Sequence, residues 1–356
     1  MNQKLKKILI IGNIYPHPSS EAFLEKFVKI IKELSNTVYV ICGDQPPIFD
    51  NINWVPSYSR NSENILNRIY IYLINQLLQT CFIIQNRNNY DMGIVLGPAF
   101  LIQTFFLKLI DKKVALFVDG KTQSIFLIFA KINFILADVL LVESENVMNV
   151  WNIQKYKDKI IYSSIYVDSY FSINKHYDDR ELIIGYIGSL EKGKGVQNFV
   201  ESIPLIQNEI KNSNFMIIGN GELFSEIEEY ILDNNLKNTV KLLGWIPHDE
   251  IPNYLNELKL FIMPSYSEGL PNSVLEAMSC GVPVLSTPVG GIPDIIKEGK
   301  TGFIMEKNSK ELIAENVIKI ISKENNNEII KNAKELISNE YSYDASVKRF
   351  EKIFID

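Results

Sequence analysis

Cysteine and histidine are scarce in this chain of 356 residues, which holds three of each. Cys42, Cys81 and Cys280 lie far apart with no Cys-x-x-Cys pair. This excludes a disulfide framework and a zinc module, and points to a reducing, cytoplasmic compartment. His17, His176 and His248 fall into no metal-ligand pattern such as HExxH and read as loop or surface residues. Basic tracts are missing too. The lysines are spread and the net charge is −6, so there is no extended nucleic-acid footprint. No apolar run reaches the roughly 20 residues of a spanning helix. The most lipid-like stretch, SIFLIFAKINFILADVLLV from Ser124, is interrupted by Lys131, Asn133 and Asp138 and reads as a buried helix followed by a strand. The start, MNQKLKKILIIGNIYPHP, has a short apolar run closed by Gly12 and Pro16, which fits a first strand better than a signal peptide. No short-period repeat occurs.

What the chain does contain is apolar material for two cores: 46% of residues are hydrophobic. Its length suits two domains of roughly 150 to 180 residues each. Short apolar runs alternate with helix-period segments, as in βα units around a parallel sheet. In the first half the strand candidates are KILIIG, TVYVIC, DMGIVLG, KVALFVD, DVLLVE and KIIYSS. In the second they are LIIGYIG, NFMIIG, VKLLGWI, LKLFIMPS, PVLST and GFIM. The expected fold is α/β, with two parallel-sheet domains in tandem. A polar stretch at 162–181 lacks periodicity and marks the boundary. We therefore expect an N-terminal domain over 1–168, a C-terminal domain over 169–338, and a helix over 339–356 that can cross back to the first domain.

Ligands of doubly wound sheets sit beyond the carboxyl ends of the strands, where helix N-terminal amides attract anions. Four such turns occur in the second half: YIGSLEKGKG, IIGNGE, MPSYSEGLPNS and STPVGGIPD. Together they suggest a nucleotide diphosphate site. Within PSYSEGLPNSVLEAMSCGVPVLSTPVGG, residues 264–291, Glu268 falls in a loop and Glu276 on the following helix. Asn272 or Ser273 should cap that helix, leaving the amides of Val274 and Leu275 for phosphate. Carboxylates there suit sugar hydroxyls. The plain structural alternative is a Ser273-x-x-Glu276 capping box. Cys280 reads as a small core residue.

The segment EGLPNSVLEAMSCGVPVLSTPVGGIPDIIKEGKTGFI resembles the signature of the retaining glycosyltransferases of family 4. IGSLEKGKG, IIGNGE and VKLLGWIP extend the likeness, with fainter echoes in ADVLLVES and YVDSYF. The resemblance implies the GT-B architecture: two Rossmann-like domains whose sheets face a central cleft, the first binding the acceptor and the second the nucleotide sugar. It implies that Glu268 lies by the transferred sugar, that Glu276 holds the ribose hydroxyls, and that Lys194 stabilises the leaving diphosphate. Gly188, Ser189, Lys192, Gly219 and Gly221 would line the nucleotide pocket, with Leu270, Asn272, Ser273 and Val274 at the helix start. Gly290 and Gly291 would let the backbone approach the donor. Trp245 would sit near the base, although a core aromatic is an equal reading.

Two departures stand out. Ser189 replaces the arginine of most members, with Lys192 either a compensating cation or a solvated loop lysine, and Asp119 stands at or next to the position where many have a histidine. The implied activity is retaining transfer of a sugar from a nucleotide-diphosphate sugar, UDP- or GDP-linked, to a glycan or lipid-linked acceptor in polysaccharide or glycolipid assembly. No cofactor is implied and no Asp-x-Asp motif stands at a strand end, so metal-independent catalysis is expected. The alternatives are a non-catalytic nucleotide-sugar-binding partner and, last, a sugar-nucleotide epimerase. Membrane contact would be peripheral, at the inner face, through NRIYIYLINQLLQTCFII (67–84), whose apolar excess fits either an exposed patch or an ordinary core helix.

Overall fold

The computed structural model describes residues 7–12, 18–42, 52–56, 65–98, 100–118, 127–163, 166–323 and 326–354. The chain divides into two compact units, residues 1–166 with 343–356, and residues 167–342. Strands of the first unit are β1 (Lys7–Ile11), β2 (Thr37–Cys42), β3 (Ile52–Pro56), β4 (Met92–Leu96), β5 (Lys113–Val118), β6 (Val139–Val142) and β7 (Ile160–Tyr162). They form one sheet in the order β3-β2-β1-β4-β5-β6-β7, parallel throughout. The sequence reading missed β3. Asn53 interrupts its apolar run and Pro56 closes it, which an edge strand tolerates. Its helices are α1 (Pro18–Leu34), α2 (Ile65–Gln85), α3 (Leu101–Leu109), α4 (Leu127–Leu136) and α5 (Glu145–Trp151).

The second unit holds β8 (Ile183–Ile187), β9 (Asn214–Ile218), β10 (Val240–Leu242), β11 (Leu260–Met263), β12 (Val284–Ser286) and β13 (Phe303–Ile304). Their order is β10-β9-β8-β11-β12-β13, again parallel. Around this sheet lie α6 (Val196–Glu209), α7 (Phe224–Asp233), α8 (Ile251–Leu255), α9 (Asn272–Ser279), α10 (Ile292–Ile295), α11 (Lys310–Ile321) and α12 (Asn327–Glu340). Strand side chains alternate between two faces, so each sheet feeds two cores. Ile8 and Ile10 pack into one, Leu9 and Ile11 into the other. Ile184 and Tyr186 are likewise separated from Ile183 and Ile187.

The boundaries shift slightly from those expected. α12 stays with the second unit, where Tyr341 O accepts from Val167 N at 2.8 Å. The last helix, α13 (Tyr343–Glu351), belongs to the first unit and packs on α1. Phe350 and Ile353 are fully buried there, and Phe350 meets Phe27 edge to face at 5.4 Å between ring centres. Phe350→Ala should therefore destabilise the first unit by about 3–5 kcal/mol, the usual cost of an aromatic-sized core deletion. A urea midpoint equal to that of the wild type would show that the C-terminal segment is dispensable.

Candidate functional site

Strand order reverses in the second sheet between β8 and β11, which are neighbours although 74 residues separate Lys194 from Glu268 in the loops that follow them. This switch point is where open parallel sheets bind ligands. The loops after β8, β9, β11 and β12 are joined by backbone hydrogen bonds. Gly188 N donates to Ile218 O at 3.0 Å, Leu190 N to Asn220 O at 2.9 Å, Tyr266 N to Gly193 O at 3.0 Å, and Gly291 N to Gly269 O at 2.5 Å. Two glycines make that closeness possible. Gly219 (φ +140°) lies against the Gly188 carbonyl, and Gly290 (φ +58°) against the Glu268 carbonyl, so a side chain at either would strike backbone. The glycine pair after β12 thus shapes the loop that carries Glu268.

Lys194 ends a 3-10 turn at Lys192–Lys194, and its Nζ donates to both carboxylate oxygens of Glu268, at 3.0 and 2.9 Å. Ser265 Oγ donates to Oε1 of the same carboxylate at 2.6 Å, and Thr287 Oγ1 holds Ser265 O at 2.5 Å. The Glu268 side chain is only 6% exposed whereas that of Lys194 is 31% exposed. The ammonium therefore remains open to a second anion while its partner carboxylate is enclosed. A fixed positive charge in a partly dry loop cluster is the arrangement that stabilises a departing diphosphate.

Glu276, on α9, is buried. An ionised carboxylate only accepts, so His248 Nε2–H donates to Glu276 Oε1 at 2.8 Å. Nδ1 on the other side of the ring lies 3.0 Å from Tyr170 OH, and that hydroxyl donates to Asp168 Oδ2 at 3.4 Å. Burial, followed by the charge of Asp168 and Glu276, pushes the Tyr170 phenol well above its ordinary pKa and keeps its proton available. This row of groups corrects one expectation and extends another. Ser273 and Glu276 form no capping box: the N-cap of α9 is Pro271, without a side-chain cap. His248 is the exposed loop residue expected, and it also meets the carboxylate of Glu276. Its signal in the sequence was weak, because 28 residues separate the partners. Nothing in the local pattern links them.

The amides expected to be free are not. Val274 N and Leu275 N bond to Pro271 O at 3.2 and 3.4 Å, and both side chains lie in the core. The amides of Asn272 and Ser273, two residues earlier in the same turn, are the ones without an intrahelical partner. Trp245 is 67% exposed in the loop after β10, so the core-aromatic reading fails. Ser189 offers its carbonyl to Tyr186 OH at 2.7 Å, and exposed Lys192 donates its amide to Glu222 Oε1 at 3.3 Å. Leu270 is half-buried, against the core that includes Val274, and Gly221 packs on the Leu190 carbonyl. Asp119 and His17 lie outside the described residues, and His176 is exposed. Cys280 is buried, which pushes its thiol up to about 12. Among the described residues no cluster of three or more His, Cys, Asp or Glu side chains could hold a metal ion.

Two tandem parallel-sheet units, with Lys194 on Glu268 after β8 and β11 and Glu276 on the helix that follows β11, give the chain the GT-B fold. Residues 169–336 match the model of the family Glycosyl transferases group 1. An uncharacterized glycosyltransferase of Methanocaldococcus jannaschii is 31% identical over 52% of this chain and 52% of its own length. The capsular polysaccharide biosynthesis glycosyltransferase CapM of Staphylococcus aureus is 33% identical over 45% of this chain and 42% of its own. The alignments thus span about half of these relatives or less. Among solved structures, Anabaena HepE in complex with UDP shares the fold with a TM-score of 0.80 at 15% identity, covering 98% of this chain and 99% of that one.

Proposed function

We propose that this chain is a retaining glycosyltransferase that moves a sugar from a nucleotide-diphosphate sugar to an acceptor hydroxyl in polysaccharide or lipid-linked glycan assembly. The observation that carries this reading is the Lys194–Glu268 pair at the switch point, with its ammonium still partly open. The capsular polysaccharide biosynthesis role of CapM supports the polysaccharide setting, and the UDP bound to HepE supports a UDP-sugar as donor, ahead of a GDP-sugar. In the reaction the bond from the anomeric carbon to the diphosphate oxygen breaks, and the acceptor oxygen bonds to the same face. The acceptor proton passes to the departing phosphate oxygen. Lys194 and the amides of Asn272 and Ser273 offset the charge that builds up there. Glu268 is engaged by Lys194 and Ser265, so it acts by charge and position and not as a nucleophile. Glu276, oriented by His248, takes the ribose hydroxyls. Trp245 offers a flat face for the base, and Lys192 a second cation where Ser189 supplies none.

Incubation of the purified protein with UDP- and GDP-sugars, followed by detection of slow donor hydrolysis and of the anomeric configuration of product by NMR, tests this reading. Nucleotide release with retained configuration is expected. An inverted product, or binding without any turnover, would overturn it. We further expect transfer to survive EDTA, since a lysine and fixed amides serve where other enzymes use a metal. Activity lost to the chelator and restored by magnesium or manganese would contradict this.

A further inference from the structure

Helices α2, α3 and α4 pack side by side on the first unit, and their polarity is inverted relative to a helix on a water-facing surface. Side chains turned inward include Asn75, Gln76, Gln79, Gln103, Thr104 and Asn133, each no more than 3% exposed. Gln103 Nε2 of α3 donates to Gln79 Oε1 of α2 at 2.8 Å, Asn133 Nδ2 of α4 donates to Pro98 O ahead of α3 at 2.8 Å, and the Gln76 side-chain amide is buried without a hydrogen-bond partner among the described residues. Turned outward are Leu77 (66% exposed), Phe105 (50%), Leu109 (65%), Ile128 (63%) and Ile135 (65%). The helix expected to be buried, α4, is thus open along one side. Such a concentration of exposed large apolar groups marks an interaction site.

The chemistry of the face selects its occupant. None of the three helices contains an aspartate or glutamate, and their only charged residues are Arg68, Lys108 and Lys131. Asp138, just beyond α4, is paired with Lys108 at 2.8 Å. A protein interface carries roughly one hydrogen bond per 100–200 Å², whereas this face is mainly leucine, isoleucine and phenylalanine. Acyl chains ask for no hydrogen bonds, and basic residues complement anionic headgroups. No helix among the described residues is long and apolar enough to cross a membrane, so the contact lies in the interface plane. We propose that α2, α3 and α4 form a docking face that seats the first unit on an anionic lipid surface. This inference does not depend on the transferase reading, because it concerns binding alone.

The test is co-sedimentation of the full-length protein with vesicles of phosphatidylglycerol and phosphatidylcholine at low salt. The comparison is a Leu77→Glu, Leu109→Glu, Ile135→Glu variant, with Leu232→Glu in the second unit as control. All four positions are exposed, so the variants should fold, which circular dichroism checks. Wild type and control should bind, and the triple variant should bind at least roughly tenfold more weakly, the loss expected from a single apolar side chain withdrawn from lipid. Wild type left in the supernatant, equal binding by the triple variant, or a wild-type dimer that the variant splits would each overturn the proposal.

Discussion

Lys194→Ala is expected to lower the transfer rate by about 10² to 10³, the usual effect of removing one fixed group that faces developing negative charge. The loss should appear in kcat, because that charge is greatest as the diphosphate departs. A second consequence follows from burial. Glu268 would be left enclosed with Ser265 as its remaining neutral donor, so the variant should also melt earlier. Glu268→Gln in the same background removes the orphaned charge and should recover stability without recovering the rate. If Lys194→Ala melts early yet turns over at the wild-type rate per folded molecule, the lysine serves only to neutralise Glu268.

Glu276→Ala should weaken donor binding by roughly 10- to 100-fold, corresponding to about 1.5–3 kcal/mol for hydrogen bonds to a charged group. Titration with the nucleotide and with its ribose-deoxy analogues is the decisive measurement. The wild type should prefer the ribose form, and the variant should not. His248→Ala should move in the same direction by a smaller factor, raising KM with little change in kcat, because the imidazole positions the carboxylate without touching the sugar. Since α9 is capped by Pro271 and not by Glu276, no cap is lost, and a drop in melting temperature with unchanged donor affinity would refute the ribose role.

Much of the architecture was legible because it rests on local pattern. Runs such as KILII and LFIM are apolar on both sides, as strands covered by two helical layers must be, and twelve of the thirteen strands announce themselves in this way. β3 did not, because an edge strand can carry Asn53 and Pro56. The candidate site was legible in part. Glu268, Glu276 and Lys194 stand in loops and on a helix start whose glycines and prolines have strong local meaning. His248 was passed over because its value lies entirely in the carboxylate it meets.

By itself the amino-acid order determined two parallel α/β units, the turns at their strand ends and the residue types able to face a diphosphate. Folding determined who pairs with whom. Adjacency of β8 and β11 brings Lys194 onto Glu268, and the loop after β10 brings His248 onto Glu276. Arg180, in the polar stretch read as the domain boundary, is buried with its guanidinium on the carbonyls of Lys175, Leu258 and Cys280. The inverted helices show the same limit. An apolar segment such as 67–84 has one composition whether its leucines face a core or lipid. In the folded unit Gln103 of α3 takes Gln79 of α2 inward and Asn133 of α4 turns inward onto Pro98 O, while Leu77, Leu109 and Ile135 stay outside, a division that composition alone does not show.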